Sequence, residues 1–274
     1  MTGFRLLCVV FACLANLAAV TAARSSTVLI TGANSGLGLE FARQYAAAGW
    51  DVIATHRRSS VPATLAQLQT EFDNVRIETI DVTREADAAA LAQRLRGVPI
   101  DVLINNAGVY NDRSQCVAED CPGDWSTQNF GNLRFSLLDT ILAVNVKGPL
   151  LVSEALLDNV TASEQKKIVA ISSSNGSLTG PEYSPGLIFY RASKAALNRA
   201  MQLVALDQRD AGITVLMLNP GPVLTERQEY MREEFEQVML ETSVSVGGMI
   251  EQIAAATLAD SGRFIQYDGA TVPW

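Results

Sequence analysis

The chain has 274 residues, 48% of them hydrophobic and 18% charged, enough for one α/β domain with a sizeable core. Against 29 Asp and Glu stand 21 Lys and Arg, a formal net charge of −8 that leaves no overall basic field to attract a nucleic acid. The single histidine, His56, excludes a multi-histidine metal site, and four cysteines without a Cys-x-x-Cys pair exclude the usual zinc ribbon and thioredoxin motif, so no metal is expected.

Taken in chain order, the first feature is an uncharged stretch from Leu6 to Ala23, set between Arg5 and Arg24 and rich in Leu, Val and Ala. A basic flank, an apolar centre and the small residues Val20-Thr21-Ala22-Ala23 are the three parts of a secretory signal peptide over residues 1–23. The alternatives are a membrane anchor, since the stretch reaches the lower limit of a spanning helix, or a misassigned start in a cytoplasmic protein. The next methionine, Met201, is too late to begin a complete fold. If the leader is removed, Cys8 and Cys13 leave with it, and Cys116 and Cys121 remain as an even pair expected to form a disulfide.

From Thr27 onward, β-rich runs alternate with stretches of helical period. Strands are predicted at Thr27–Thr31, Asp51–Thr55, Val75–Ile80, Val102–Asn105, Ile168–Ile171, Ile213–Leu218 and Arg263–Ile265. Helices are predicted at Leu37–Ala48, Pro62–Phe72, Glu85–Leu95, Leu137–Leu157, Ala192–Arg209 and Met249–Ala259. No linker or repeat interrupts them, so residues 24–274 read as a single doubly wound, Rossmann-type α/β domain on a mostly parallel sheet of about seven strands.

The first strand runs into Thr31-Gly32-Ala33-Asn34-Ser35-Gly36-Leu37-Gly38 and then into a helix. Gly32 permits a tight turn, Gly36 lets backbone N–H groups approach a pyrophosphate, and Gly38 lets the helix press on the sheet, while the helix N-terminus favours the negative charge. The second strand ends Thr55-His56-Arg57-Arg58, with no carboxylate to bind a ribose 2′-hydroxyl and with Arg57 able to pair with a 2′-phosphate. NADP(H) is therefore expected over NAD(H).

Farther along, Asn105-Asn106-Ala107-Gly108 follows the fourth strand, Ser172-Ser173-Ser174 the fifth, and Tyr190-Arg-Ala-Ser-Lys194 opens the next long helix. Tyr and Lys four apart share a helical face. A phenol titrates near ~10, and bringing it toward neutrality takes roughly 3 to 4 kcal/mol, which a neighbouring cation can supply.

Together with Asn219-Pro-Gly221, these motifs in this order resemble the short-chain dehydrogenase/reductase family over Thr27 to Trp274. Leu29-Ile-Thr-Gly-Ala-Asn34, Tyr190-Arg-Ala-Ser-Lys-Ala-Ala-Leu-Asn198 and the closing Tyr267-Asp-Gly269 and Pro273-Trp274 resemble its C-factor-like branch. The resemblance implies hydride transfer between a nicotinamide cofactor and a carbonyl or alcohol. Tyr190 would be the general acid or base, Lys194 would lower its pKa and bind the nicotinamide ribose, and Ser173 would polarise the substrate carbonyl. Asn145 would hold a water in the proton relay. Gly32, Asn34, Ser35, Gly36, Leu37, Gly38, Arg57, Asp81, Val82, Asn106, Ala107, Gly108, Pro220, Gly221, Val223 and Thr225, with Tyr190 and Lys194, would contact the cofactor.

Two departures leave questions open. Pro181 to Gly186 lengthens the loop between Ser173 and Tyr190, so Ser174 or Ser177 could be the catalytic serine. Tyr110 to Arg134, with Trp125, is longer than its family counterpart and would border a small-molecule substrate. The resemblance also implies a homodimer through the two longest helices. A nucleotide-sensing or signalling protein on the same fold is the second reading, and the intact Asn145, Ser173, Tyr190 and Lys194 favour catalysis over it.

Overall fold

The computed structural model describes residues 24–111, 124–180, 185–225 and 239–274. The predicted leader, Cys116 and Cys121 lie outside the described residues, as do Pro181 to Ser184 of the loop before Tyr190.

Seven strands form one parallel sheet: β1 (Thr27–Ile30), β2 (Asp51–His56), β3 (Val75–Thr79), β4 (Val102–Asn105), β5 (Lys167–Ile171), β6 (Thr214–Asn219) and, after a short ribbon of β7 (Val223–Leu224) with β8 (Leu240–Glu241), the last strand β9 (Phe264–Gln266). Their spatial order is β3-β2-β1-β4-β5-β6-β9, every neighbouring pair parallel. Helices cover both faces, so central strands such as β1, β4, β5 and β6 are buried at every position. That is why they read as continuous apolar runs rather than as alternating ones. The chain winds outward from β1 in both directions, and the reversal between β1 and β4 opens a crevice at the strands' C-terminal ends.

The helices are α1 (Gly36–Ala47), α2 (Ala63–Glu71), α3 (Glu85–Arg94), α4 (Phe135–Leu142), α5 (Gly148–Ala155), α6 (Leu157–Thr161), α7 (Ile188–Asp207) and α8 (Thr242–Ala255). Three differ from the sequence expectation. The helix predicted over Leu137–Leu157 is α4 and α5 joined by a π turn at Ala143–Lys147, a local widening that periodicity cannot reveal. Phe135–Ala155 is apolar and long enough to cross a membrane by composition, but here it buries Ile141, Val144 and Val152 in the core. The helix predicted from Ala192 already begins at Ile188. The last helix, predicted over Met249–Ala259, runs from Thr242 to Ala255. Gly248 is needed inside the helix because a Cβ there would lie 2.6 Å from the Tyr267 carbonyl oxygen.

Candidate active site

At the nucleotide end the geometry is fixed by backbone. Gly32 and Gly36 both have positive φ, 66° and 55°, which strains any other L-residue. A Cβ on Gly38 would sit 2.4 Å from the Gly32 carbonyl oxygen, so only glycine lets α1 start this close to the sheet. The Thr31 hydroxyl accepts hydrogen bonds from the backbone N–H groups of Asn106 (2.9 Å) and Ala107 (3.0 Å). In return, the Asn106 amide donates to the Thr31 carbonyl at 2.8 Å. Thus the Gly32–Gly38 turn and the Asn106–Gly108 turn, far apart in sequence, form one floor at the crevice. Asn34, Ser35 and Leu37 lie along it.

At its outer edge, Arg57 is exposed just past β2, within electrostatic reach of Asp81. Hydrogen bonds from the Thr83 N–H and hydroxyl, with Arg57 and Arg84 nearby, hold the Asp81 carboxyl below its ordinary range against the opposing effect of burial. Val82 packs on Gly148, where an added Cβ would come within 3.0 Å of it. His56 is buried at the end of β2, its Nδ1 accepting the Arg58 N–H. Burial and the Arg58 charge both lower its pKa. With β1 and β4 between β2 and β5, His56 is roughly 14 Å from the fifth strand, too far to serve there.

At the opposite end, side chains set the geometry. The apolar stripe of α7 runs through Phe189, Leu197, Met201 and Ala205 and carries Lys194 and Asn198 into the interior with it. Lys194 is 6% exposed, donates to the Ile171 carbonyl at 2.8 Å, and lies 5.7 Å from the centre of the Tyr190 ring. Burial lowers its pKa to about 8. The Tyr190 phenol hydrogen-bonds the Ser173 hydroxyl, which also accepts the Asn175 backbone N–H at 3.2 Å. Gly176 lets this turn close on α7, since a Cβ there would meet the Lys194 backbone at 2.7 Å.

Of the three candidate serines, Ser173 is the one whose hydroxyl meets Tyr190. Ser174 is exposed and its N–H donates to Asn219, while the Ser177 hydroxyl accepts the Gly180 N–H at 2.7 Å. Asn145, in the π turn, both donates to the Val109 carbonyl (2.8 Å) and accepts the Val109 N–H (2.9 Å), and it donates to the Ser193 hydroxyl. Its amide thereby joins three segments. Pro220, Gly221, Val223 and Thr225 follow β6 along the same rim. Gly221 has φ +76°, and the Pro220 carbonyl accepts from Ser245 at 2.7 Å.

One expectation is reversed. The Tyr190 pKa is raised rather than lowered, because burial disfavours the phenolate more than the Ser173 hydrogen bond favours it. No motif marks Asn175 in the sequence, and Tyr110 stands there only at a loop boundary. The Tyr110 ring stands edge-on to Tyr190 with centroids 6.3 Å apart and meets Trp125 at 4.9 Å, making an aromatic wall beside the phenol.

The sequence profile of the short chain dehydrogenases matches residues 26–236, which carry both the glycine-floored crevice and the Ser-Tyr-Lys cluster. The chain belongs to the short chain dehydrogenase family. It is an enzyme of that dehydrogenase and reductase type. The 1-hydroxy-2-glutathionyl-2-methyl-3-butene dehydrogenase of Rhodococcus sp. (strain AD45) is 31% identical over 251 residues, 91% of this chain and all of the relative. C-signal of Myxococcus xanthus is 32% identical over 176 residues, 64% of this chain and 93% of C-signal, in keeping with the C-factor-like resemblance. Among solved structures, an NADPH-bound carbonyl reductase from chicken fatty liver superposes with a TM-score of 0.79 at 28% identity, covering 92% of this chain and all of the reductase.

Proposed function

We propose that the protein is an NADP(H)-dependent oxidoreductase that interconverts an aldehyde or ketone with its alcohol. The observation that carries this reading is the buried contact of Ser173, Tyr190 and Lys194 at the mouth of a glycine-floored crevice. The crevice fits a dinucleotide: glycines line its floor where a Cβ would clash, α1 begins there, and the exposed Arg57 just past β2 could pair with a 2′-phosphate. The cofactor, when bound, supplies or accepts the hydride.

The chain's own residues do the rest. Ser173 and the Tyr190 phenol converge on one oxygen-binding position, where their hydroxyls stabilise the charge that develops on a carbonyl oxygen. Tyr190 then gives up its proton there. A phenol whose pKa is raised stays protonated through the neutral range, which suits the donor in carbonyl reduction. Lys194 supplies a cation whose pKa of about 8 lets it gain or lose a proton near neutrality. Asn145 and the π turn hold Val109 against Ser193, so the wall facing Tyr190 keeps its shape. C-signal's name points to the sensing or signalling alternative, but a nucleotide sensor has no use for this second cluster.

Purified protein should quench its own tryptophan emission on adding NADPH and oxidise NADPH with some member of a panel of aldehydes and ketones. Binding without turnover across the panel would favour the sensor instead. Two further expectations belong to this proposal. Leu203 and Leu206 on α7 and Phe135 on α4 are exposed, which supports pairing of two copies through these helices; a monomer mass by light scattering at micromolar concentration would refute it. Residues 1–23 would route the chain into a secretory compartment, an organelle lumen in preference to the NADPH-poor exterior, and the intact mass of protein from its native source tests this.

A further inference from the structure

The helix that bears Tyr190 starts badly by its own sequence. Its entry residue, Leu187, has φ +53°, a left-handed conformation unusual for a branched side chain, and it has no side-chain oxygen with which to cap the helix. The first N–H groups of α7 therefore need acceptors from elsewhere. One comes from a different segment, in the loop that reads as longer than its family counterpart. Gln128 ends a short turn, Ser126–Gln128, and is 0% exposed. Its Oε1 accepts the backbone N–H of Tyr190 at 2.9 Å, and its Nε2 donates to the Tyr110 carbonyl at 2.7 Å.

The two partners are the residues whose rings meet edge-on at 6.3 Å, and Tyr110 in turn rests on Trp125, three residues before Gln128. One buried amide thus ties together the backbone of the phenol-bearing residue, the aromatic wall beside it and the loop that carries both Trp125 and the amide itself. The neighbouring turn adds a second point of attachment: Asn129 lies against Gly186, where a Cβ would come within 2.4 Å of its Oδ1.

We propose that Gln128 is a positioning residue that holds the first turn of α7 and the Tyr110–Trp125 wall in one register, so that the wall orients an aromatic carbonyl substrate against Tyr190. The inference rests on the oxidoreductase reading above and adds to it a substrate class, carbonyls bearing a planar apolar group that can lie against the two rings.

The test compares wild type with Gln128→Met, which keeps the length and loses both hydrogen bonds, Gln128→Asn, which is too short to reach both partners, and Gln128→Glu, which keeps the acceptor for the Tyr190 N–H and, as a carboxyl held neutral by full burial, a donor for the Tyr110 carbonyl. Turnover of benzaldehyde and of propanal is measured with NADPH. Gln128→Met and Gln128→Asn should lose about 10- to 100-fold in kcat, the cost of displacing a reacting group by an ångström or less. Both should also raise KM for benzaldehyde more than for propanal, and Gln128→Glu should recover most of kcat.

Wild-type kcat in a folded Gln128→Met or Gln128→Asn, equal losses in KM for the two aldehydes, or no rescue by Gln128→Glu would overturn the proposal. If the wild type reduces neither aldehyde, the oxidoreductase reading has failed for these probes. The positioning role is then decided by Trp125 emission in a Trp50→Phe, Trp274→Phe background. A red shift in Gln128→Asn reversed in Gln128→Glu supports it, and an unmoved spectrum overturns it.

Discussion

The two ends of the crevice are built by different means. Around Gly32–Gly38 the shape is a property of the main chain: positive φ angles, an absent Cβ, and backbone groups of one turn bonded to a hydroxyl and an amide of the next. Around Tyr190 the shape is a property of side-chain amides and hydroxyls, each spanning two or more segments: Asn145 to Val109 and Ser193, Gln128 to Tyr110 and Tyr190, Asn219 to the turn after Ser173. A backbone site accepts any ligand with the right phosphate spacing and tolerates no added carbon. An amide-stitched site can be reshaped by single substitutions, which is where a family varies its substrate while keeping its cofactor.

The largest expected effect falls at the side-chain end. Tyr190→Phe should keep the fold and NADPH binding while lowering the rate of the chemical step at least ~100-fold, the lower scale for a general acid, as read by single-turnover kinetics. Retained turnover would move the proton donor elsewhere and erase the functional half of the contrast.

Gly38→Ala is the matching test at the backbone end. Because its Cβ would be 2.4 Å from a carbonyl oxygen that cannot swing away, it should cost about 1–3 kcal/mol of stability and take most of the NADPH affinity with it. A variant that melts and binds as wild type does would show that this contact relaxes freely.

Arg57→Ala sharpens the contrast within the nucleotide end, because Arg57 acts there through its side chain. NADPH affinity should fall at least ~10-fold, on the scale of a charged hydrogen bond, with NADH affinity nearly unchanged. Equal losses for both nucleotides would make Arg57 a bystander and leave that end wholly to the backbone.

The smallest effect is on stability against pH. Lys194 has a folded pKa of about 8 against an ordinary value of 10.5, so its charged form is disfavoured by folding. Below pH 8 the folded state bears the whole penalty, and between about 8 and 10.5 stability rises with pH because the unfolded chain binds the extra proton. Lys167 acts in the same direction, and the buried phenols of Tyr45 and Tyr190, whose pKa values are raised, oppose it only above about 10. Lys194→Met should therefore be more stable than wild type at pH 7, by about 1–2 kcal/mol once the lost bond to Ile171 is allowed for, and its stability should rise less between pH 8 and 10. Chemical denaturation across that range measures it. A destabilised variant at pH 7 would mean that the ammonium is better solvated than its burial implies.

Much of this molecule could be read from the sequence where a local rule governed it. The central strands follow from runs such as Thr27-Val-Leu-Ile30 and Thr214-Val-Leu-Met-Leu218, and the placement of Lys194 from its register with Leu197 and Met201 on one helical stripe. Where two distant segments had to agree, sequence was silent. The π turn at Ala143–Lys147 has no periodicity of its own, and α7 begins four residues earlier than its pattern because Gln128, sixty-two positions before Tyr190, accepts an N–H from its first turn. The choice among Ser173, Ser174 and Ser177 is of the same kind: all three are alike in sequence, and only the chain's path past Tyr190 separates them.

By itself, then, the sequence determined the doubly wound domain, the glycine turn and the residue types on hand for proton transfer, because strand burial, φ and helical register are set by residues within a turn or two of one another. The tertiary structure alone decided which serine meets the phenol, that burial raises rather than lowers the Tyr190 pKa, and that one glutamine joins the substrate loop to the catalytic helix. Each of these depends on desolvation and hydrogen bonds between segments far apart in the chain, and neither exists until the core has closed.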